Sequence, residues 1–78
     1  MGINVNLNEK IGRKELIKIR AYLGLNMVEM SALMGAPYTT YQEWEAVSER
    51  RKLLPTTQQF LRVLVDLKGT EVGKKYGI

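Results

Sequence analysis

The sequence predicts an all-α fold, a small compact domain of roughly four to five short helices. In several segments apolar side chains recur at the spacing of a helix that buries one face. Glycines and prolines separate these segments, as helix breakers do. The chain of 78 residues suffices for one domain with a marginal core, so a partner subunit would add stability.

Residues 1–11 are predicted to form a short extended amino-terminal arm or a strand. Within them, residues 3–8 read INVNLN and alternate apolar and polar side chains, which is typical of a half-buried strand. An extended arm explains the same six residues equally well. The first helix is then expected over residues 12–22, and Gly24 ends it.

Residues 25–45 are the most informative segment, because two short helices follow each other there across a tight break. Asn26 suits the position before a helix over residues 27–34, since its side chain accepts a free backbone N–H. Gly35 supplies the turn, and Pro37 suits the first position of a third helix, where no N–H is needed. Helices joined this tightly meet at a steep angle, as in the helix-turn-helix, whose second helix enters the major groove of DNA.

The third helix has one apolar and one polar face. Helical spacing places Tyr41 and Trp44 on the side that faces the core. The opposite side carries hydrogen-bonding residues, namely Tyr38, Thr39, Gln42 and Glu43. A solvated surface helix would look similar, but directly after a helix-turn break the pattern favours reading of DNA bases.

The fourth helix, predicted over residues 56–67, is apolar over a wider face than one core needs. Two interpretations stay open: burial on both sides by the chain itself, or contact of Val63 or Val65 with a second subunit. The glycines that follow argue against a long fifth helix. The chain is therefore divided into an arm, a DNA-binding domain and a carboxy-terminal tail, over residues 1–11, 12–68 and 69–78.

Charge is distributed unevenly around this motif. The chain carries 12 basic and 8 acidic residues, and its net charge of +4 favours an anionic partner such as nucleic acid. Residues 21–49 contain four acids and no Lys or Arg, whereas Arg50, Arg51 and Lys52 follow at once. We expect these three to contact DNA phosphates or a narrow minor groove. The alternative is a solvated charge run in a loop.

The composition excludes several classes of protein. Without Cys and His the chain has no disulfide, no thiolate metal site and no histidine general base. The acids are scattered, and no phosphate-cradling Gly motif is present. We therefore expect no enzyme activity, catalytic residue, cofactor or metal. No apolar run approaches the roughly 18 residues of a membrane span, so a cytoplasmic, nucleoid-associated location is expected.

The segment from Glu15 to Leu67 resembles the Cro and phage-repressor family of helix-turn-helix proteins, also called the xenobiotic response element type. The resemblance rests on ELIKIRAYLGLNMVEMSALMGAPYTTYQEWE, followed by a basic loop and LLPTTQQFLRVLVDL. The matching features are the Leu-Gly-Leu linker, the Gly of the turn, Thr40 before an apolar residue and the closing Trp-Glu. The resemblance covers about two thirds of the chain and implies a lambda-repressor-like DNA-binding domain.

The resemblance also implies roles for single residues. Base reading falls on Tyr38, Thr39, Gln42 and Glu43. Asn26 and Thr40 join the basic loop as residues that contact DNA phosphates or the minor groove. An ion pair between the first and third helices falls on Arg20 and Glu45. The core positions of the family fall on Leu16, Ile19, Met30, Met34, Tyr41, Trp44 and Leu64.

Three positions depart from the family pattern. Met27 stands where a Gln that touches phosphate is common, and Ala46 stands where a Gly is usual. The loop from Trp44 to Pro55 is longer than usual. Contacts carried over beyond Glu45 are therefore the least specific part of the resemblance.

The expected function is sequence-specific binding of double-stranded DNA, as a transcriptional repressor or autoregulator of a small phage or mobile-element operon. Its partners would be a DNA inverted repeat and a second copy of the chain, forming a homodimer. The alternative is a protein-interaction module or antitoxin whose main partner is a toxin or other protein. Met27 and a reading helix without cations favour this alternative, whereas the basic loop and the matched reading positions favour DNA binding more.

Overall fold

The computed structural model describes residues 9–48 and 51–78, and these residues form helices and no strand. In chain order the helices are α1 (Arg13–Leu23), α2 (Met27–Leu33), α3 (Tyr38–Glu45), α4 (Pro55–Leu67) and α5 (Glu71–Lys75). The predicted all-α fold is confirmed. The strand or arm predicted over residues 3–8 lies outside the described residues.

The first helix begins and ends at glycines. Gly12 precedes α1 and is not part of it, so the helix starts one residue later than predicted and extends through Leu23. Gly24 adopts the left-handed conformation with φ of 75°, which lets its N–H and that of Leu25 bond to carbonyls of the last turn. The chain thereby reverses direction and enters α2 without a long loop.

Reciprocal capping by Asn26 and Glu29 starts α2. The Asn26 side chain accepts the Glu29 N–H at 2.8 Å, and the Glu29 side chain accepts the Asn26 N–H at 2.9 Å. This cap confirms the predicted role of Asn26, whereas α2 stops at Leu33, one residue earlier than predicted. Pro37 differs from its predicted place inside α3, because its extended ψ of 144° leaves it just before the helix.

The core lies where α1, α3 and α4 meet, and α2 packs against α3. Its most deeply buried side chains are Ile11, Leu16, Ile19, Met30, Tyr41, Leu61 and Leu64. Met34 and Trp44 are partly buried against this cluster. The family core positions thus lie in or against the core.

Ile11, which is predicted to belong to the amino-terminal arm, is a core residue. Its side chain is 1% exposed, and its N–H donates to Gln58 Oε1 at 2.9 Å. Gln58 in turn donates to the Leu53 carbonyl at 3.0 Å. This buried amide joins the segments before α1 and α4, because burial makes both of its hydrogen bonds necessary.

Residues 69–78, the predicted carboxy-terminal tail, pack against the rest of the domain. They form α5, which packs against α4, and Ile78 packs against the core. Backbone hydrogen bonds link Gly69 N to Ile78 O and Ile78 N to Gly73 O. The glycines limit the length of α5, as predicted, yet their turns let the segment fold back onto the domain.

The burial of α4 agrees in part with each of the two interpretations, which were burial by the chain itself and contact with a second subunit. Leu61 and Leu64 are buried by the chain itself, and Val65 is partly buried against the same core. Val65 is therefore a poor candidate for a subunit contact. Val63 is 41% exposed and stays available for one.

Candidate nucleic-acid interface

The core anchors α3 through two aromatic rings. Tyr41 is fully buried, and Trp44 is partly buried against the same cluster. The two rings meet edge to face, with centroids 5.9 Å apart and planes at 73°. Because these rings point inward, the opposite positions of the helix face outward.

All four positions predicted to read bases lie on the outward side of α3. Tyr38, Thr39 and Gln42 are exposed, and the Glu43 side chain is 45% exposed. We call these four residues the outer face of α3. They present hydroxyls, an amide and a carboxylate, the groups that pair with the donor and acceptor edges of bases.

An ion pair joins α1 to the end of α3. Arg20 Nε lies 2.7 Å from Glu45 Oε2, and Arg20 Nη2 lies 3.2 Å from Glu45 Oε1, so the contact is bidentate. The two side chains are 22% and 8% exposed. Arg20 Nη1 also donates to the Leu25 carbonyl at 3.3 Å, between α1 and α2. The geometry agrees with the ion pair that the family resemblance implies.

Tyr41 extends this ion pair into the core. Its hydroxyl donates a hydrogen bond to Glu45 Oε2. Burial raises the pKa of Tyr41 far above its ordinary value, and the hydrogen bond to Glu45 raises it further. The hydrogen bond that Arg20 donates to Glu45 likewise raises the pKa of Arg20. At neutral pH the Tyr41 phenol is therefore protonated and the Arg20 guanidinium is charged. Both donate hydrogen bonds to the Glu45 carboxylate at the end of α3.

Arg13 is a positioning residue that sequence reasoning missed. Its Nε donates to the backbone carbonyl of Glu45 at 2.9 Å, across 32 residues of chain. A cation on a carbonyl at the end of a helix is favoured by the helix dipole. No local pattern marks this contact, because a basic residue in the first turn of α1 looks like a solvated charge until the chain folds.

The outer face of α3 also meets the basic loop. Arg51 Nε lies 2.7 Å from Glu43 Oε1, with both side chains about half exposed. The structure thus brings together one residue predicted to read bases and one predicted to contact phosphate. An exposed pair of this kind contributes little stability and breaks readily.

The other predicted contact residues are more scattered. The side-chain oxygen of Asn26 accepts a backbone N–H in the cap of α2. Thr40 is half-buried beside the outer face of α3. Lys52 is exposed next to Arg51. Arg50 lies outside the described residues. Met27, which stands where a phosphate-binding Gln is common in the resembled family, is packed against the core.

Within residues 9–48 and 51–78, no cluster of acidic side chains is suited to hold a metal ion. None of the helices in these ranges is both long and apolar enough to cross a membrane.

Comparison of the chain with protein-family models, with curated proteins and with solved structures finds no match.

Proposed function

We propose that this chain is a sequence-specific double-stranded DNA-binding regulator that represses transcription of a small operon. The observation that carries the proposal is the outer face of α3, with Tyr38, Thr39, Gln42 and Glu43 projecting from a helix that the core holds firmly. Readout in the major groove needs such a helix, because its side chains must meet base edges in one register.

The contacts that fix α3 to the rest of the domain are suited to base reading. Arg20, Tyr41 and Arg13 all bond to Glu45 at the end of α3, so the helix is tied to α1 and to the core. A fixed helix loses little conformational freedom on binding, which favours affinity. Gln42 can pair with adenine through two hydrogen bonds, and Glu43 can accept from cytosine N4.

The ion pair between Glu43 and Arg51 would link a base contact made by Glu43 to a phosphate contact made by Arg51. When Glu43 turns to a cytosine amino group, Arg51 loses its partner and is free to bond to a backbone phosphate. Lys52 adds a second cation to the same loop. These contacts would supply the attraction to phosphates that α3, without a cation, does not.

A homodimer is part of the proposal. Phe60 and Val63 are 39% and 41% exposed on α4, one helical turn apart. Covering them with the same residues of a second copy would bury apolar surface and form a two-fold symmetric protein. Such a protein suits an inverted repeat with half-sites about one helical turn of DNA apart.

A protein-interaction module is the second candidate. An apolar groove of about 210 Å³ lies between α4, α5 and the end of α2, with Phe60, Val72 and Tyr76 on its exposed rim. Exposed apolar side chains grouped in this way are typical of protein contacts. In this alternative α3 would contribute shape and no base readout.

Selection of bound duplexes from a random pool tests the proposal. We expect enrichment of an inverted repeat, and a log–log salt slope that falls by about 0.9 for each phosphate contact removed. Gln42→Ala should cost about 1–3 kcal/mol on the selected site and relax the preference there. The matched control is Gln59→Ala, an exposed glutamine on α4, which should leave the preference intact.

Two results would contradict the proposal. The first is binding without enrichment of any sequence, with the weak salt-sensitive affinity of any basic protein. The second is an equal loss for Gln42→Ala on selected and random duplexes, since a base-reading residue must discriminate between them. Either result would favour the interaction module.

A further inference from the structure

A cleft near the end of α3 has four cations in its lining. It holds about 240 Å³ and lies between the start of α1, Trp44 near the end of α3, and the segment before α4. Lys10 and Arg13 line it from one segment, and Arg51 and Lys52 line it from the other. We call it the basic cleft.

The charge of the basic cleft is strongly unbalanced. Among its described lining residues four are cationic and one, Glu15, is acidic, and one of the cations, Arg51, is already paired with Glu43. Glu15 Oε1 is already used within the chain, since it accepts the Gly12 N–H at 3.0 Å. The positive end of the 11-residue helix α1 also lies at the cleft, where Gly12 precedes its first turn. An anion entering the cleft would therefore be attracted by fixed charge and by the helix dipole.

Arg13 is held in a geometry suited to phosphate. Its Nε is committed to the Glu45 carbonyl at 2.9 Å, which restrains the guanidinium plane. The two terminal nitrogens of that plane remain for a bidentate bond, which is how Arg binds phosphate oxygens. Lys10 and Lys52 are both exposed and can approach the same anion as point charges.

The rest of the cleft is apolar. Ile11 and Leu53 are buried residues in its lining, and the partly buried Trp44 is an aromatic part of it. Its volume is a little below the roughly 300–1,000 Å³ of drug-sized sites. The combination fits a small molecule with one phosphate group and a flat apolar portion.

We propose that the basic cleft binds a small phosphate ester, with its phosphate between Arg13, Lys10 and Lys52 and its apolar portion against Trp44. This inference goes beyond DNA binding and does not depend on it. The backbone of a DNA duplex carries the same phosphate groups, but a duplex can contact only side chains that project from the protein surface. Contact with the recessed Ile11 and Leu53 requires a ligand small enough to enter.

The fluorescence of Trp44 reports binding in the cleft, because Trp44 is the one tryptophan of the chain and lines the cleft. The full chain is titrated with adenosine monophosphate, inorganic phosphate, adenosine and a short random duplex while Trp fluorescence and backbone amide shifts are recorded. We expect a saturable response to adenosine monophosphate, a weaker one to phosphate and none to adenosine. The amides of Ile11 and Gly12 should shift with the same midpoint.

Matched double variants test whether the cleft itself is responsible. Lys10→Ala with Lys52→Ala should weaken binding of adenosine monophosphate at least about tenfold, because two charge-assisted contacts are lost. Lys74→Ala with Lys75→Ala removes the same charge from exposed positions on α5 and should change the affinity less than about twofold.

Three outcomes would overturn the proposal. One is the absence of both a fluorescence response and amide shifts at millimolar adenosine monophosphate. Another is equal weakening in the two double variants, which would indicate general charge attraction. The third is a response to the duplex alone, which would make the cleft part of a DNA interface. A response to adenosine monophosphate in a chain that selects no DNA sequence would uphold the cleft and refute only the proposed regulator.

Discussion

Glu45 is the residue on which the placement of α3 depends. Its carboxylate accepts hydrogen bonds from Arg20 and from the Tyr41 hydroxyl, and its backbone carbonyl accepts one from Arg13. The carboxylate is nearly buried, so each partner offsets part of the cost of removing a charge from water. Removing a partner should therefore cost more than removing an ordinary surface charge.

We expect Arg20→Ala to lower the free energy of unfolding by about 3 kcal/mol, because it leaves Glu45 buried without its cation. The melting temperature should fall by at least about 10 °C in a domain of this size. Lys18→Ala removes an exposed cation from the same helix and should change stability by less than about 0.5 kcal/mol. Equal melting temperatures for the two variants would show that the ion pair has no structural role.

Tyr41 makes stability depend on pH in the alkaline range. Its pKa is raised in the folded state, so folding favours the protonated phenol, and this contribution is complete below the unfolded pKa of about 10. Above that pH the unfolded chain releases a proton that the folded chain keeps. The stability of the wild type should then fall, relative to Tyr41→Phe, by up to about 1.4 kcal/mol per pH unit.

Denaturant unfolding of both chains at pH 8, 9, 10 and roughly 11 measures this difference, since the other tyrosines and the lysines are common to both. At pH 8 the wild type should be the more stable, because Tyr41→Phe loses the hydrogen bond to Glu45. A gap between the two chains that stays constant across this range would contradict the prediction.

At the scale of the elements, α5 depends on a close approach that only glycine permits. A Cβ on Gly73 would lie 1.9 Å from the Leu67 carbonyl oxygen, at the end of α4. Thr70 strengthens the same corner, since its hydroxyl donates to that carbonyl and accepts the Gly73 N–H. The carboxy-terminal segment therefore folds back onto α4 because one position in α5 has no side chain.

Gly73→Ala should destabilise the protein by about 1–3 kcal/mol, because the backbone of α5 must move away from α4. In an ordinary helix the same change would stabilise by about 1 kcal/mol, so the sign of the effect is diagnostic. Lys74→Ala, at the next and exposed position, is the control for helix propensity. Faster hydrogen exchange at the Ile78 and Gly69 amides should accompany the loss, and an increase in stability would refute the close approach.

At the scale of the whole molecule, the proposed homodimer rests on the exposed apolar edge of α4. Val63→Lys should convert a micromolar dimer into a monomer, because a charge would be buried where two copies meet. The fold should persist, since Val63 is exposed in the single chain. Val47→Lys, in the loop after α3, changes an 80% exposed valine in the same way and should remain dimeric.

Sedimentation velocity with and without DNA distinguishes these states. A wild-type chain that stays monomeric at micromolar concentration under both conditions is incompatible with the proposed two-fold arrangement.

The helices and the two faces of α3 follow from local patterns in the sequence. Apolar spacing, the Asn26 cap and the glycine breaks are local properties, so they placed α1 to α4 within one residue at each predicted end. The outward side of α3 followed in the same way, because helical periodicity and two aromatic rings decide which side is buried. The paired Arg20 and Glu45 were found through the family resemblance alone.

Contacts between residues distant in the chain could not be predicted from these local patterns. Ile11 is in the core, where Gln58, 47 residues away, accepts its N–H. Arg13 supports α3, Arg51 pairs with Glu43, and Lys10 shares a cleft with Lys52, yet each has the sequence context of a solvated surface charge. Long polar side chains carry no periodic burial signal, so their partners are set by which segments the packed core brings together.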